Sequence, residues 1–255
     1  MIFLGLQKLS LLDYPGKMCA TVFTGGCNFR CPFCHNSSLV ILKDSKADVH
    51  IDEEEILSFL KKRTGILEGV CITGGEPTLF GDSVLLFMRR VKDLGLLVKL
   101  DTNGSNPDFI KKAVGERAVD YIAMDIKSSL ENYSLVTGVE DIDLDSIKES
   151  ANYLMEGHID FEFRTTVVKP LHMASDFESI GRMLAGDEKY FIQCYKDSGD
   201  ILFEKDSKVR DKLIKSKSLE NCDSEMELRP YSDDEMKSFL EILKNYIPCA
   251  EIRGM

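Results

Sequence analysis

Residues 25 to 36 read GGCNFRCPFCHN, which sets Cys27, Cys31 and Cys34 in a C-x3-C-x2-C run with His35 directly after the last of them. A loop this short lets three thiolates converge on one inorganic centre, and thiolate sulfur favours zinc, copper(I) or an iron–sulfur cluster. Structural zinc takes four ligands in a tetrahedron, commonly as two separated chelating pairs. His35 is a poor fourth ligand, because adjacent residues seldom aim at the same ion, and the chain holds no second C-x2-C or H-x3-H pair. A four-iron cluster accommodates the shortfall. Three thiolates leave one iron open to a ligand that is not protein, much as catalytic zinc sites keep one position vacant. The spacing points to chemistry at a metal, with a zinc-stabilised interaction domain as the reading that metal analysis separates from it.

Further polar groups follow at intervals: ITGGEP (72 to 77), LDTNG (100 to 104), MDIK (124 to 127) and Arg164. Gly74 and Gly75 let the main chain approach a ligand closely. Lys127 and Arg164 can meet a carboxylate or a ribose, and Asp101 and Asp125 a cation or hydroxyls. Apolar, β-branched runs bounded by turns predict the strands that carry these groups, at 18–24, 69–73, 96–101, 119–125, 161–168 and 189–195. Helix starts lie between them: Asp52 with Glu55, Ser83, Asn106 before Pro107, Asp145, and Ser175 with Glu178. In the helix after Ser83, residues Val84, Phe87, Met88 and Val91 fall at helical spacing and form one apolar stripe. Strand and helix in alternation mean parallel strands with right-handed crossovers. Each polar group then falls at or near the C-terminal end of a strand, the rim on which barrel enzymes assemble their sites.

The chain of 255 residues, 44% hydrophobic and 29% charged, has the length and composition of one globular domain. A formal net charge of -11 excludes a sequence-independent grip on nucleic acid phosphates. No apolar run is long enough to span a membrane and the first twenty residues lack the order of a secretion signal, so no membrane partner and a cytoplasmic location are expected. The solitary thiols Cys19, Cys71, Cys194, Cys222 and Cys249 read as core residues. Residues 204 to 230 are polar with little apolar periodicity and are expected to form a surface loop or lid within a variable segment spanning 196 to 231. Ser232 and Glu235 cap a last helix with Met236, Phe239, Leu240, Leu243 and Ile247 on one face. The sequence does not assign residues 1 to 9 to an element.

Cys27, Cys31 and Cys34, with Phe33 before the last, resemble the C-x3-C-x-aromatic-C signature of the radical S-adenosylmethionine (SAM) enzymes. ITGGEP resembles that family's GGE motif, whose backbone meets the amino group of SAM. LSLLDYPGKMCATVFTGGCNFRCPFCHN, GGEPTL, VKLDTNGSNP, VDYIAMDIK and EFRTTVV resemble, in order, the activating proteins of anaerobic ribonucleoside-triphosphate reductase, over residues 9 to about 195. The resemblance implies a partial (β/α)6 barrel, more splayed than a closed one, with a [4Fe-4S] cluster on Cys27, Cys31 and Cys34. It implies SAM held near Phe33, Gly74, Gly75, Glu76, Asp101, Thr102, Asn103, Asp125, Lys127 and Arg164. In the pyruvate formate-lyase activating enzymes, which these residues also resemble, the matching aspartates hold a monovalent cation. By that likeness Asp101 and Asp125 would do so here, with backbone oxygens of Thr102 and Ala123.

The implied activity is reductive cleavage of SAM to a 5'-deoxyadenosyl radical, which takes a hydrogen atom from a backbone glycine of a partner enzyme. The cofactors carry that chemistry, so no general acid or base is nominated. The expected partners are the glycyl-radical reductase and a flavodoxin- or ferredoxin-like electron donor. The stretch between Cys34 and Gly74 holds only Cys71, so a single cluster is expected. The pyruvate formate-lyase activators place a histidine after the sixth strand, where KYFIQCY offers Gln193, Cys194 and Tyr195. The alternatives are an activase for another glycyl-radical enzyme such as pyruvate formate-lyase, and a radical SAM synthase acting on a small molecule. An activase predicts an open groove over the cluster, whereas a synthase predicts a small closed pocket.

Overall fold

The computed structural model describes residues 1–41, 50–186, 189–197, 199–216 and 227–254. Cys222 and residues 217–226 of the expected lid lie outside the described residues. The chain divides into two compact units, one comprising Met1–Asn28, Ser38–Met124 and Asp145–Phe161, the other Phe29–Ser37, Asp125–Leu144 and Glu162–Met255. No described helix is long and apolar enough to cross a membrane.

All six expected strands form: β2 (Cys19–Thr24), β3 (Gly69–Gly74), β4 (Leu97–Thr102), β5 (Tyr121–Asp125), β6 (Asp160–Val167) and β7 (Tyr190–Cys194). Two more occur that the sequence did not assign, β1 (Phe3–Ser10) and β8 (Glu251–Arg253). In the first unit β1 pairs antiparallel with β2, and β2, β3, β4 and β5 follow in parallel order. β2 and β3 are buried along nearly their whole length, which is why they read as continuous apolar runs rather than as alternation. The register sets Thr24 opposite Gly74, Ile72 opposite Leu100 and Asp101 opposite Ala123. The motif-bearing ends of β2, β3 and β4 therefore share one edge of this unit's sheet. In the second unit β6, β7 and β8 are parallel neighbours, with Arg164 opposite Phe191 and Gln193 opposite Arg253.

The helices form where the capping chemistry permits. Asp52 accepts from the Glu54 amide at 2.7 Å and starts α2 (Glu53–Lys62), after the short α1 (Ser37–Val40). α3 (Asp82–Asp93) begins one residue before the expected Ser83, because Gly81 adopts the turn that precedes it. Its stripe of Val84, Phe87, Met88 and Val91 is wholly buried. Asn106 accepts from the Phe109 amide at 3.2 Å with Pro107 opening α4 (Pro107–Gly115). α5 (Tyr133–Thr137) is short, and α6 (Leu144–Met155) runs through the expected Asp145 start. α7 (Ala174–Met183) departs from the expected Ser175 cap. Ser175 is exposed, and the Asp176 carboxylate reaches back to the Met173 amide at 2.8 Å instead.

The polar stretch expected as a loop is helical over α8 (Leu202–Lys205) and α9 (Ser207–Ser216). Val209 and Leu213, four residues apart, are buried, and two such anchors were too few to stand out as periodicity among lysines and aspartates. The last helix, α10 (Asp233–Lys244), carries the expected capping box. The Ser232 amide donates to Glu235 at 2.9 Å, and the Glu235 amide to Ser232 Oγ at 3.3 Å. Phe239 of α10 stacks on Phe177 of α7 with ring centroids 4.5 Å apart.

The buried and exposed faces of α3 give a direct check. Phe87 packs against Phe3 with centroids 4.8 Å apart. Phe87→Ala should lower unfolding free energy in urea by about 3–5 kcal/mol. Leu86→Ala, at an exposed position of the same helix, should change it by no more than about 0.5 kcal/mol.

Candidate functional site

In the first unit the ends of β2 and β3 meet through their backbones just before Cys27. The Gly75 amide donates to the Thr24 carbonyl at 2.9 Å, and the Glu76 amide to the Gly26 carbonyl at 2.8 Å. A Cβ on Gly75 would stand 1.9 Å from the Gly26 oxygen, and one on Gly74, whose φ is +123°, 2.3 Å from the Thr24 oxygen. Only glycine fits both positions. Glu76 is buried and its carboxylate accepts four hydrogen bonds. These come from the Thr78 amide and hydroxyl at 3.0 and 2.6 Å, the Thr102 hydroxyl at 2.8 Å and the Asn103 amide at 2.7 Å. Burial pushes the Glu76 carboxyl up, while these donors act in the opposite sense.

Asn103 extends this network to the cysteine loop. Its side-chain amide donates to Asn28 Oδ1 at 2.8 Å, and Asn28 donates to Ser105 Oγ at 2.9 Å. Asn28 Oδ1 lies 4.0 Å from Cys27 Sγ. Gly74, Gly75, Glu76, Thr102 and Asn103 are thus joined, with Asn28 as a member that sequence reasoning missed although it adjoins Cys27. Asp101 lies in β4 beside Thr102. It pairs with Lys99, which is 1% exposed and whose Nζ lies 3.9 Å from Cys71 Sγ. Lys99 was legible as a charge two residues before Asp101, on the same face of an otherwise apolar strand. Cys19 and Cys71 are core thiols as expected, packed with Tyr14 and Tyr121.

In the second unit Cys31 is buried and Cys34 half-buried in a loop held by its backbone. The Arg30 amide donates to the Thr137 carbonyl at 2.8 Å, and the Cys34 amide to the Cys31 carbonyl at 3.0 Å. From the segment before and within α8, Phe203 donates to Pro32 at 2.9 Å and Leu202 to Cys34 at 3.0 Å, while Ser37 Oγ donates to Asp200 at 2.6 Å. Residues 200–203 therefore brace the cysteine loop, where the sequence suggested a lid. Burial pushes the Cys34 thiol up, and burial followed by the Lys127 cation pushes His35 down.

Phe33 meets His172 edge-on at 6.2 Å. The buried His172 accepts from the Val168 amide through Nδ1 at 3.1 Å, which assigns the proton to Nε2, and Nε2 donates to the Lys127 carbonyl at 2.8 Å. The Lys127 amide donates to Tyr133 Oη at 3.3 Å, so the backbone of Lys127 is gripped on both sides. Its ammonium donates to Asp125 Oδ2 at 2.9 Å, while Arg164 Nε and Nη2 both reach Asp125 Oδ1 at 3.0 Å. Asp125, Lys127 and Arg164 thus form one group. Burial alone would raise the Asp125 carboxyl, but the Lys127 and Arg164 cations hold it well below the usual carboxylate range.

Cys27 belongs to the first unit, and Cys31 and Cys34 to the second. No three His, Cys, Asp or Glu side chains among the described residues are grouped as a metal-ion site. The donor set nevertheless suits an iron–sulfur cluster, because all three cysteines are thiols rather than disulfides and the cationic Lys127 acts electrostatically on Cys31.

Residues 21–183 match the family model described as Radical SAM superfamily. A "Putative glycyl-radical enzyme activating enzyme" of Methanocaldococcus jannaschii is 32% identical over 208 residues, 79% of this chain and 83% of that protein. The pyruvate formate-lyase-activating enzyme of Streptococcus mutans is 31% identical over 141 residues, 52% of this chain and 53% of that protein. The crystal structure of Streptococcus suis SuiB bound to S-adenosylmethionine shares the fold at a TM-score of 0.59 and 14% identity, over 91% of this chain and 49% of that one. The fold is accordingly the α/β type expected from the sequence, a partial (β/α)6 barrel.

Asp125 provides a test of the charged group. Asp125→Asn should cost about 3 kcal/mol in urea unfolding, the low end for a broken buried pair because the carboxylate keeps some contact with water. A folded-state value below the unfolded one stabilises above the unfolded value and loses that contribution as pH falls. The gap between wild type and variant should hold from pH 8 to 5 and shrink only below about 4.

Proposed function

This chain belongs to the radical SAM superfamily, and on that premise we propose that it activates a glycyl-radical enzyme, with anaerobic ribonucleoside-triphosphate reductase as its protein substrate. The family's cofactors are a [4Fe-4S] cluster and SAM. When bound, they supply the 5'-deoxyadenosyl radical that takes a hydrogen atom from a backbone glycine of the partner. The observation that carries the activase reading is the likeness to an activating-enzyme relative along 83% of that relative's length. The reductase is favoured by the wording of the motifs from LSLLDYPGKM to EFRTTVV.

In this reading Cys27, Cys31 and Cys34 hold the cluster, with Phe33 beside it. Gly74 and Gly75 present main chain to the SAM amino group. Glu76 directs its carboxylate to Thr78, Thr102 and Asn103, so its part is to fix that main chain rather than to contact the ligand through its side chain. Lys127 and Arg164 both contact the carboxylate of Asp125, and cations of this kind are suited to meeting a carboxylate of the ligand. Asp101 and Asp125 already face the protein cations Lys99, Lys127 and Arg164. By the resemblance to the pyruvate formate-lyase activating enzymes, a monovalent cation near Asp101 and Asp125 is part of this reading. A flavodoxin- or ferredoxin-like donor supplies the electron. The half-chain likeness to a pyruvate formate-lyase-activating enzyme supports that lyase as the second reading of the partner.

The test is anaerobic incubation of the reconstituted protein with SAM, a reductant and either the reductase or the lyase, followed by electron paramagnetic resonance. A glycyl radical should appear on the reductase and be lost in Cys27→Ala, Cys31→Ala and Cys34→Ala. A radical on the lyase alone would move the assignment to that partner, and a full signal from any cysteine variant would contradict the cluster.

A further inference from the structure

The end of the first unit's sheet that lies away from Thr24 and Cys27 carries apolar side chains in water. Leu9, Leu11, Leu12, Met18 and Ile66 are exposed there, Leu11 by 66% and Leu12 by 91%. Ser10 pairs with Cys19, so Leu9 and Leu11 flank the start of β2. The Glu68 amide donates to the Met18 carbonyl at 2.8 Å and the Met18 amide to Glu68 Oε2 at 3.0 Å, which sets Met18 beside the turn that bears Ile66. Lys8 Nζ and the Arg63 guanidinium carbon lie 5.9 and 5.8 Å from the Phe59 ring centroid, which brings the end of β1 to the end of α2.

The turn from β1 into β2 is fixed. Ser10 Oγ accepts from the Leu12 and Asp13 amides, both at 3.2 Å, and Thr21 Oγ1 donates to Asp13 Oδ2 at 2.5 Å. Tyr14 is buried among Cys19, Cys71 and Tyr121. Leu11 and Leu12 are therefore held in water by a rigid turn, and exposed apolar side chains gathered within a charged rim mark an interaction site. Residues 8–18 and 61–68 hold five cations, Lys8, Lys17, Lys61, Lys62 and Arg63, against the carboxylates of Asp13 and Glu68, in a chain of formal net charge -11. A basic rim on an acidic protein selects a partner surface that is acidic around an apolar centre. It opposes a second copy, since a symmetric contact would set this rim against itself. A bilayer fits less well, because Glu68, paired with Lys17 at 3.2 Å, would carry a carboxylate into the headgroup layer beside Met18.

β1 is the edge strand of the sheet and runs from Phe3, opposite Thr24, to Ser10, opposite Cys19. The six residues of β2 that separate the patch from the cysteine loop span roughly 20 Å. A standard interface takes about 800 Å² of each partner, a footprint roughly 30 Å across. One bound protein can cover both ends along this edge.

We propose that this patch docks the body of the glycyl-radical enzyme whose glycine is presented at the other end of the sheet. The inference deepens the activase reading and rests on it. Leu11 and Leu12 enter an apolar recess of the partner, and the surrounding cations meet carboxylates at its margin. None of these residues touches the cofactors, so the patch governs capture of the partner and not the radical step.

The test uses the anaerobically reconstituted full chain as wild type, as the double variant Leu11→Ser, Leu12→Ser and as the double variant Lys61→Glu, Lys62→Glu. Binding to purified reductase and to purified lyase is measured by biolayer interferometry across a salt series. Glycyl radical formation is followed by electron paramagnetic resonance at increasing partner concentration. The leucine variant should weaken binding on the order of tenfold and raise KM for the partner with kcat unchanged. The lysine variant should slow association and flatten its dependence on salt. Both should cleave SAM reductively at the wild-type rate when no partner is present. Unchanged binding and KM in both variants overturn the proposal, as does a wild type that binds neither enzyme. Leucine-dependent binding to vesicles of phosphatidylglycerol and phosphatidylcholine in equal parts, or a leucine-dependent dimer in sedimentation, overturns it too when partner binding is unaltered. Should the leucine variant fail to fold, the lysine variant decides. If wild type forms the glycyl radical and both variants bind as it does, docking falls and the activase reading stands. If wild type binds the partner through the patch and forms no radical, docking stands and that reading falls.

Discussion

The backbone contact between Gly26 and Gly75 is the constraint from which the first unit's site is built. At 2.8 Å the Gly26 carbonyl takes the Glu76 amide, and a Cβ on Gly75 would lie inside that oxygen. The approach fixes the residue before Cys27 against the residue that carries the buried carboxylate. Glu76 then passes the restraint on, because its four hydrogen bonds tie the turn after β3 to the end of β4 at Thr102 and Asn103. Asn28 returns the connection to the cysteine loop. A buried carboxylate stabilises such a turn only when every lone pair is used, and here the donors come from both strand ends.

The second unit organises charge instead of backbone. Asp125 divides its two oxygens between Arg164 and Lys127, His172 and Tyr133 hold the main chain of Lys127, and Arg253 donates to both oxygens of Glu162. The same unit supports Cys31 and Cys34 through main-chain bonds from residues 202 and 203, so the loop that bears them is restrained from its own unit.

Much of this was legible in the sequence because it is local. Strand identity followed from apolar runs, α4 and α10 from Asn106 and Ser232, the cysteine triplet from its spacing, and the GGE motif from its resemblance to the family's. What stayed hidden depends on long-range pairing. β8 is three residues long and has no period to detect, yet it supplies Arg253. Glu162 reads as an ordinary charge in a strand until Arg253 is placed beside it. α9 escaped notice since two buried residues anchor it, and α7 because an aspartate inside the helix replaces the expected serine cap. His172 sits far from any cysteine in sequence, and its contact with Phe33 has no sequence signature.

The central claim is that three thiolates leave one iron of the cluster for SAM to occupy. Mössbauer spectroscopy of the anaerobically reconstituted, 57Fe-labelled protein tests it most directly. The account predicts that adding SAM moves the signal of one iron site in four and leaves the other three in place. Four iron sites that do not respond to SAM, or a protein that takes up tetrahedral zinc and no iron, would contradict it.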